Sequence, residues 1–566
     1  MADTCFSGAA IPHGDPSKFL DDHRTTPPSF FVSFNHRPTY DGGYSNIMYS
    51  LRTKMFGKGS GMIELCELLK NWPCTAKGGD FRALVSGVTD HSAEVIPGSV
   101  FVARKGRSAS GLDHIQEALH NGAVAIVTDI SRPPGIPQGV TSISVPDAAD
   151  FLAYACSAFY GHPSRELTVF AVTGTNGKTT TTRFIGQLLK AGGIRSAVIG
   201  TLGVWIDGRK APLQTPPMTT LPPAHLHRVL RYCADEGVTH IAMEASSLGL
   251  SGKRLDHCSI DYGIFLNIGT DHHAEHGGEE AYLSAKGRLS ELAGKIILNA
   301  DDASVLSITR GTRPVMTFGE RPGGDTHLRI SDDGKGDWML AAGKAHTVIA
   351  APVEGRHNRL NAAAAFASLM AAGFGLADFR RNASCLSLPE GRMQESEGAG
   401  IRVFVDYAHT PDALEAVLGA LSSLCTGRLI TVFGCGGDRD REKRPKMGNV
   451  AGEYSDSVWV TSDNPRSEEP TQIISDIMEG LAGTSAIVRT ETDRERAIRG
   501  AIYEAEAGDF VLIAGKGHEE IQISKSSSRP FSDYRTALRF LGERAADGDT
   551  RVQSADRFWY DGSGME

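Results

Sequence analysis

The stretch from Leu167 to Leu188 constrains the fold more than any other part of this 566-residue chain. Leu167 to Val172 is a short apolar, β-branched run, which is typical of a buried strand in a parallel sheet. A glycine-rich turn follows, and Thr181 to Lys190 then carries apolar residues at helical spacing. Strand, glycine turn and helix in this order predict an α/β fold with a phosphate-binding loop at the turn.

The turn contains the residue types that phosphate binding requires. Its glycines allow backbone N–H groups to approach phosphate oxygens, and the helix N-terminus adds partial positive charge. Lys178 can reach the β- and γ-phosphates, and the Thr179 hydroxyl can hold Mg²⁺. The predicted ATP-binding turn comprises Gly174, Thr175, Asn176, Gly177, Lys178, Thr179 and Thr180.

One position of the turn departs from the usual pattern. The strict motif has a glycine six residues before the lysine, where this chain has Val172, so the loop is the shorter G-x-x-G-K-T form. The alternative interpretation is a chance turn of Gly, Lys and Thr. The strand before the turn and the helix after it favour the phosphate loop, and ATP is the predicted ligand.

Length and composition describe a globular protein of several domains. A chain of this length exceeds a single core and predicts about three domains. The net charge of −9, without a basic stripe, argues against nucleic acid as a partner, and no apolar run is long enough to span a bilayer. Nine scattered cysteines without C-x-x-C spacing favour reduced thiols and a cytoplasmic location over disulfides or a zinc site.

Alternating strand and helix patterns predict three α/β domains between two polar ends. Residues 1–60 are either a disordered extension or a stretch upstream of the true translation start at Met55 or Met62. The predicted segments are residues 1–60, the extension; 61–163, a small N-terminal domain; 164–388, the ATP-binding domain; 389–543, a C-terminal domain; and 544–566, a loose tail.

Polar residues follow several apolar strands of the predicted central domain. The carboxyl ends of parallel strands share one edge of a sheet, so these residues should converge near the phosphate loop. Glu244 is the natural carboxylate for Mg²⁺, with Thr179 as a second oxygen ligand. His272 is a softer candidate, since a histidine beside an aspartate is more often a hydrogen-bonded structural residue. Asn299 and Asp302 suit nucleotide contacts, but a turn after a strand attracts the same residue types.

The last domain carries a second set of polar residues. In Asp463-Asn464-Pro465-Arg466 the proline stiffens the loop, and the planar fork of Arg466 suits a carboxylate. Glu519 could receive an ammonium group. One arginine and one glutamate placed in this way could bind a zwitterionic amino acid, and a surface ion pair is the alternative that the residues leave open.

Ten stretches between about Gly61 and Leu541 match a known family: FYGHPSRELTVFAVTGTNGKTTTTRFIG, IGTLGV, EASS, FLNIGTDHH, EEAYLSAK, LNADD, VDYAHTPDAL, FGCGGDRDREKRPKMG, DNPRSEEP and GKGHEEIQ. The chain resembles the Mur ligases, and among them the UDP-N-acetylmuramoyl-tripeptide synthetases, which add the third residue of the peptidoglycan stem peptide. The resemblance implies an N-terminal domain that holds the UDP moiety, a central P-loop ATPase domain, and a mobile, Rossmann-like C-terminal domain that brings the amino acid.

The resemblance also implies roles for individual residues. Lys286 would be carbamylated, which turns its amine into a carboxylate that helps to position Mg²⁺. The implied catalytic and metal-binding residues are Lys178, Thr179, Glu244, His272 and Lys286. Nucleotide or interdomain positions match Asn299, Asp406, Tyr407 and His409, and nucleotide-sugar positions match Thr219, Thr220, Ser246 and Arg254. Amino-acid positions match Arg439, Asp463, Asn464, Arg466, Gly515 and Glu519, and the DNPR form resembles that of enzymes that select meso-diaminopimelate.

The implied reaction has two steps. ATP phosphorylates a carboxylate of the nucleotide-sugar peptide, and the amine of diaminopimelate then attacks the acyl phosphate, which releases phosphate and forms an amide. Lys178 and magnesium ions would neutralise charge as the γ-phosphoryl group moves, and domain closure would exclude water. All expected partners are small molecules, namely ATP, the nucleotide-sugar peptide and diaminopimelate, and we expect a monomer.

Departures from the family pattern lie on the nucleotide-sugar side. The usual Asp-Ser-Arg reads Asp90-His91-Ser92 here, and further departures are Ser110, Leu221, Leu248 and Ala274. Three functions therefore stay open: the peptidoglycan ligase itself, a paralogue that joins an amino acid to a different carboxylate acceptor, and a non-catalytic binding protein. The ATP and metal residues that survive disfavour the third.

Overall fold

A computed structural model describes residues 62–547, except 107–108, 132, 134, 270–272, 322–325 and 526, and it does not describe the side chains of 273, 274 and 547. The predicted extension lies outside these residues, and so does the predicted tail apart from residues 544–547, which are the end of the helix Asp533–Asp547. The eight cysteines within them are free thiols. In the part of the chain that is described, no helix is both long and apolar enough to cross a membrane.

The N-terminal region is built on a five-stranded sheet in the order β2-β7-β6-β5-β4, parallel except for β2. The strands of this region are β1 (Ile63–Glu64), β2 (Thr75–Lys77), β3 (Leu84–Val85), β4 (Gly87–Thr89), β5 (Ser99–Val102), β6 (Ala125–Thr128) and β7 (Thr141–Ser144). Strands β1 and β3 form a separate two-stranded sheet. The helices of this region are Leu65–Leu69, Ile115–His120 and Ala148–Phe159. The Asp147 carboxylate caps the last of these, because it accepts from the Ala149 and Asp150 N–H groups, both at 2.9 Å.

The central region is built on an eleven-stranded sheet. Its strands are β8 (Thr168–Thr173), β9 (Ser196–Gly200), β10 (Gly203–Ile206), β11 (Arg209–Lys210), β12 (His240–Glu244), β13 (Ile260–Phe265), β14 (Ala293–Asn299), β15 (Met316–Gly319), β16 (Leu328–Asp332), β17 (Trp338–Ala342) and β18 (Ala345–Ile349). The order is β11-β10-β9-β12-β8-β13-β14-β15-β16-β17-β18, and the pairs from β9 to β16 are parallel. Two apolar cores cover its faces, one around Phe170 and Phe366 and the other around Leu230 and Phe265.

The helices of the central region are Lys178–Ala191, Pro223–Asp235, Ser247–Ser251, His273–His276, Glu279–Gly287, Leu289–Leu292, Ala303–Ile308, Arg356–Ala371 and Leu376–Asn382. Strand β8 lies between β12 and β13, so the loop that leaves β8 opens into the crevice where ligands bind to such sheets. The predicted strand, turn and helix are confirmed, with one difference. The helix begins at Lys178, three residues before the predicted start, since the polar threonines already belong to its first turn.

The C-terminal region has a six-stranded sheet in the order β19-β20-β24-β21-β22-β23, parallel except for β19. Its strands are β19 (Gln394–Gly398), β20 (Ile401–Asp406), β21 (Leu429–Phe433), β22 (Ser457–Thr461), β23 (Ile487–Glu491) and β24 (Phe510–Ala514), followed by the hairpin β25 (Ile521–Ile523) and β26 (Ser528–Pro530). Its helices are Pro411–Leu424, Lys443–Tyr454, Pro470–Gly480, Arg494–Glu504 and Asp533–Asp547. Apolar cores cover both faces of this sheet, as in a doubly wound fold.

Candidate active site

The predicted ATP residues, apart from Gly174, and the predicted amino-acid residues line one cleft of ≈ 720 Å³. Both sets follow the carboxyl ends of parallel strands, one set in the central sheet and the other in the C-terminal sheet. The central contribution is Thr175 to Thr180, Thr219, Glu244 and Asn299. The C-terminal contribution is Asp406, Tyr407, His409, Arg439, Asp463, Asn464, Arg466, Gly515 and Glu519.

The phosphate loop is held in shape by its own lysine and by a neighbouring strand end. Lys178 Nζ donates to the carbonyl oxygens of Gly174 at 2.7 Å and Thr175 at 2.9 Å. The Asn267 side chain accepts from the Asn176 N–H at 2.9 Å and donates to the Asn176 carbonyl at 3.1 Å. These bonds leave the loop preformed at the N-terminus of the helix Lys178–Ala191, as phosphate binding requires.

The predicted metal residues Thr179 and Glu244 lie together at the edge of the cleft. The Thr179 hydroxyl donates to Glu244 Oε2 at 3.1 Å, and the Thr201 N–H donates to Oε1 at 2.8 Å. Burial raises the pKa of Glu244, and the Thr201 N–H and the charge of Lys178 oppose that rise. A hydroxyl and a carboxylate beside a phosphate loop are hard oxygen donors, so this pair fits Mg²⁺, which usually shares its other ligands with phosphate and water.

The other two metal residues have different outcomes. His272 lies outside the described residues, and within those residues no group of three His, Cys, Asp or Glu side chains could hold an ion. Lys286 is buried, with 1% of its surface exposed, and its Nζ lies 4.8 Å from the centre of the Tyr282 ring. The Tyr282 hydroxyl in turn shares a hydrogen bond of 2.7 Å with Thr175 of the phosphate loop. Lys286 therefore lies behind the loop, outside the lining of the cleft.

The four predicted nucleotide-sugar residues lie close together beside Glu244. Thr220 Oγ1 lies 3.0 Å from Ser246 Oγ and donates to the Glu244 carbonyl at 2.9 Å. Arg254 donates to the Thr220 carbonyl at 2.7 Å, and Thr219 Oγ1 lies 3.1 Å from Thr201 Oγ1. The predicted nucleotide-sugar residues therefore lie next to the predicted metal residues Thr179 and Glu244.

Two predicted nucleotide residues make contacts with the backbone. Asn299 donates to the Leu266 carbonyl at 2.8 Å and accepts from the Asp301 N–H at 3.0 Å. Asp302 accepts from the Val305 N–H at 2.9 Å and so caps the helix Ala303–Ile308. These contacts support a structural role for Asp302 in the turn after the strand, which was the alternative to a nucleotide contact.

Asp406 organises the loop that carries the predicted nucleotide or interdomain residues Tyr407 and His409. This buried carboxylate accepts from the Met393 and Ala408 N–H groups, both at 2.7 Å, and burial raises its pKa. His409 Nδ1 lies 2.8 Å from the Tyr407 carbonyl oxygen, and this contact orients the imidazole ring. The Arg392 guanidinium lies 4.3 Å from the centre of the Tyr407 ring and also lines the cleft.

The predicted amino-acid residues form a connected polar network. Lys516 Nζ, fully buried, donates to Asn464 Oδ1 and to Glu519 Oε2, both at 3.1 Å. The Asn464 amide donates to Glu519 Oε2 at 2.8 Å, which fixes the carboxylate at the cleft. Arg466, in the left-handed region at φ 50°, donates to the Gly437 carbonyl at 2.8 Å. Glu519 is partly exposed but is held by the buried Lys516 and Asn464, which differs from the simple surface ion pair that the sequence left as the alternative.

Family models and a curated relative identify the protein class. Three models match: "Mur ligase family, catalytic domain" over residues 84–160, "Mur ligase middle domain" over 172–369, and "Mur ligase, glutamate ligase domain" over 391–517. A protein of Xylella fastidiosa (strain 9a5c), named UDP-N-acetylmuramoyl-L-alanyl-D-glutamate--2,6-diaminopimelate ligase, is 39% identical over 83% of this chain and 96% of its own length. The chain belongs to the Mur ligase family.

Two further comparisons agree with this assignment. A protein of the same name from Gloeobacter violaceus is 37% identical, over 82% of this chain and 95% of the relative. A solved structure titled with the same ligase name has a TM-score of 0.58 at 31% identity and covers 86% of this Mur ligase and 99% of that chain. The three-domain Mur ligase architecture that the sequence resemblance implied is confirmed.

Two residues that line the cleft of this Mur ligase, Arg392 and Asn361, were not predicted from the sequence, and neither was Lys516, which bonds to Glu519. Arg392 had no motif around it, although an arginine directly after Gly391 at the start of a new domain was a usable signal. Asn361 lies under the phosphate loop, where a Cβ at Gly177 would meet its Oδ1 at 2.2 Å, and its signal was a lone amide in an alanine-rich helix. Lys516 lies between Gly515 and Gly517, in a stretch where only Gly515 and Glu519 were predicted to bind the amino acid.

Proposed function

We propose that this Mur ligase joins 2,6-diaminopimelate to UDP-N-acetylmuramoyl-L-alanyl-D-glutamate, using ATP. The observation that carries the proposal is the single cleft that contains both the phosphate loop and the Asn464, Arg466 and Glu519 group. The relatives that match over most of their length bear the name of this ligase, which supports the same substrates.

In the first step an oxygen of the acceptor carboxylate forms a bond with the γ-phosphorus of ATP, and the bond to the β-phosphate oxygen breaks. Lys178 would move from its loop carbonyls toward the phosphate oxygens and offset their charge as ADP leaves. Thr179 and Glu244 would hold Mg²⁺, which supplies positive charge to the phosphates when bound. Thr220, Ser246 and Arg254 would place the acceptor beside them.

In the second step the amine of diaminopimelate attacks the acyl carbon, the bond to the phosphate oxygen breaks, and the amine loses a proton as the amide forms. The planar fork of Arg466 suits the distal carboxylate, and Glu519 suits the distal ammonium group. The water-sensitive acyl phosphate would form at the junction of two regions, where their approach can exclude solvent.

Lys286 is proposed to act as a carbamate that helps to position the metal. Its position beside Tyr282, whose hydroxyl is hydrogen-bonded to Thr175 of the phosphate loop, supports the proposal. His272 is proposed as a further ligand from the family resemblance alone, and the monomeric state likewise stays a prediction.

The test is phosphate release by the purified chain with ATP, Mg²⁺, the UDP-muramoyl dipeptide and diaminopimelate, with the product identified by mass. We expect turnover only when both the acceptor and the amino acid are present. No diaminopimelate-dependent phosphate release with any acceptor would contradict the proposal.

A second function is favoured by the departures on the nucleotide-sugar side. Asp90 is engaged by Arg104, with Nη2 at 2.6 Å and Nε at 2.7 Å from Oδ2, and His91 and Ser92 replace the usual residues after it. Such a site suits a paralogue that activates a different carboxylate acceptor. Diaminopimelate-dependent phosphate release with other carboxylates but not with the UDP-muramoyl dipeptide would favour this function.

A further inference from the structure

Arg494 is a fully buried cation beneath the loops that carry the predicted amino-acid residues. It is the first residue of the helix Arg494–Glu504, and 0% of its surface is exposed. Its Nε and Nη2 donate to the two oxygens of Asp533, both at 2.7 Å, and Asp533 is also 0% exposed. The charge is therefore compensated inside the protein by one bidentate carboxylate.

The remaining donors of Arg494 reach the ends of two separate strands. Nη2 donates to the Ala514 carbonyl at 2.8 Å, and Nη1 donates to the Ser462 carbonyl at 3.3 Å. Ala514 ends β24 and directly precedes Gly515, whereas Ser462 follows β22 and directly precedes Asp463. One guanidinium thus contacts the backbone at the starting points of both predicted amino-acid loops.

The sheet itself does not set the separation of these two loops. In the strand order β20-β24-β21-β22, strand β21 lies between β24 and β22, so no ladder hydrogen bonds join the two. The approach is close, because a Cβ at Gly515 would meet Asp463 Oδ2 at 2.7 Å and Arg494 Nη2 at 3.9 Å. A rigid fork that donates to both strand ends is suited to hold such a spacing, and a flexible ammonium group is not.

We propose that Arg494, anchored by Asp533, is a positioning residue for the amino-acid substrate. It acts through the two loops, and it sets the distance between the Asp463-to-Arg466 segment and the Gly515-to-Glu519 segment. This inference rests on the proposed function, since it takes diaminopimelate as the ligand of those loops.

The chain offers a matched control at the opposite edge of the same sheet. Arg428, just before β21, donates to both oxygens of Asp509, just before β24, through its N–H at 2.7 Å, its Nε at 3.1 Å and its Nη2 at 2.8 Å. This pair also joins chain segments through a guanidinium, whose Nε and Nη2 both donate to Oδ2, but it lies at the amino ends of the strands, away from the cleft. Arg428→Lys should therefore lower the thermal stability without moving the two predicted amino-acid loops.

The experiment compares Arg494→Lys with Arg428→Lys in the full chain, measuring thermal midpoints and the KM values for diaminopimelate and ATP. We expect Arg494→Lys to raise the KM for diaminopimelate by about tenfold or more, with the KM for ATP unchanged within about twofold, because a displaced loop weakens binding of one substrate only. Arg428→Lys should leave both KM values near those of the natural chain, even if its thermal midpoint falls as far.

Four outcomes would overturn the inference. One is a natural KM for diaminopimelate in folded Arg494→Lys, and another is an equal rise in Arg428→Lys. If Arg494→Lys does not fold, Asp533→Asn is measured instead, since it keeps the guanidinium and weakens its anchor; an unchanged KM for diaminopimelate in that folded variant also overturns it. If the natural chain itself shows no diaminopimelate-dependent turnover, the proposed function fails, and the inference fails with it.

Discussion

Gly200 leaves the space that the Glu244 carboxylate occupies. A Cβ built at Gly200 would lie 2.0 Å from Glu244 Oε1 and 2.6 Å from Cδ, both far below the 3.0 Å at which such contacts begin to occur. Because the new methyl group of Gly200→Ala is fixed to the backbone of β9, the carboxylate has to move by about 1 Å or more. The variant therefore displaces a proposed metal ligand without altering its chemistry.

The size of the effect follows from the bonds that hold Glu244. Oε1 accepts from the Thr201 N–H at 2.8 Å, and Oε2 accepts from the hydroxyls of Thr201 and Thr179, both at 3.1 Å. A shift of this size breaks the first bond and distorts the other two, and hydrogen bonds to a charged group contribute about 1.5–3 kcal/mol each. A loss of about 3 kcal/mol in the transition state corresponds to a fall of about 100-fold in kcat.

The assay is phosphate release at saturating ATP and amino acid while Mg²⁺ is titrated. We expect Gly200→Ala to lower kcat by about two orders of magnitude and to need more Mg²⁺ for half-maximal rate. The control is Gly294→Ala in β14 of the same sheet, where the nearest atoms to the new Cβ are carbonyl oxygens at 3.6 and 3.7 Å. Natural turnover and Mg²⁺ dependence in Gly200→Ala would refute the placement of Glu244 at the metal.

Three further predictions concern other residues. Lys286→Ala should remove most activity and also the carbamate signal that carbon-13 NMR detects after bicarbonate labelling; a fully active variant would exclude the carbamate. Arg466→Lys should raise the KM for diaminopimelate by about tenfold or more, with the KM for ATP unchanged, because lysine lacks the fork; equal changes in both KM values would contradict this. Burial lowers the pKa of His227 to about 3, so below pH 6.5 the unfolded chain binds a proton that the folded chain excludes, and stability falls as the pH falls toward 3. His227→Leu should therefore recover about 2 kcal/mol of the stability lost between pH 7 and pH 5 in urea unfolding, and an unchanged loss would show that another group causes it.

The phosphate site could be predicted because its residues are contiguous, and because neighbouring residues in the sequence determine their local structure. An apolar strand, a glycine turn and a helix start near Lys178 follow from neighbouring residues alone, and the structure places all three as expected. The parallel sheet then brings Glu244, 66 residues further on, to the same edge, which the rule on strand ends anticipates.

The supporting residues could not be predicted because their roles depend on contacts distant in sequence. Arg494 is one arginine in a charged stretch, and only the fold shows that it reaches Asp533 and the ends of two strands. Lys516 reads as a solvent-exposed lysine between glycines, yet it is fully buried against Asn464 and Glu519. Buried charges of this kind need partners that no local pattern reveals.

Arg439 and Arg466 present their charge differently, although both are predicted to bind the amino acid. Arg466 is fixed within its own region, since it donates to the Gly437 carbonyl at 2.8 Å. Arg439 instead pairs across the cleft with Glu275 of the central region, at 3.2 Å, and 47% of its side chain is exposed. A pair this exposed contributes at most about 1 kcal/mol, so a substrate carboxylate that binds the guanidinium through two hydrogen bonds would displace Glu275 at little cost. If both bind the amino acid as predicted, Arg466 would supply a preorganised contact, and Arg439 would supply one that Glu275 of the central region already holds at the cleft.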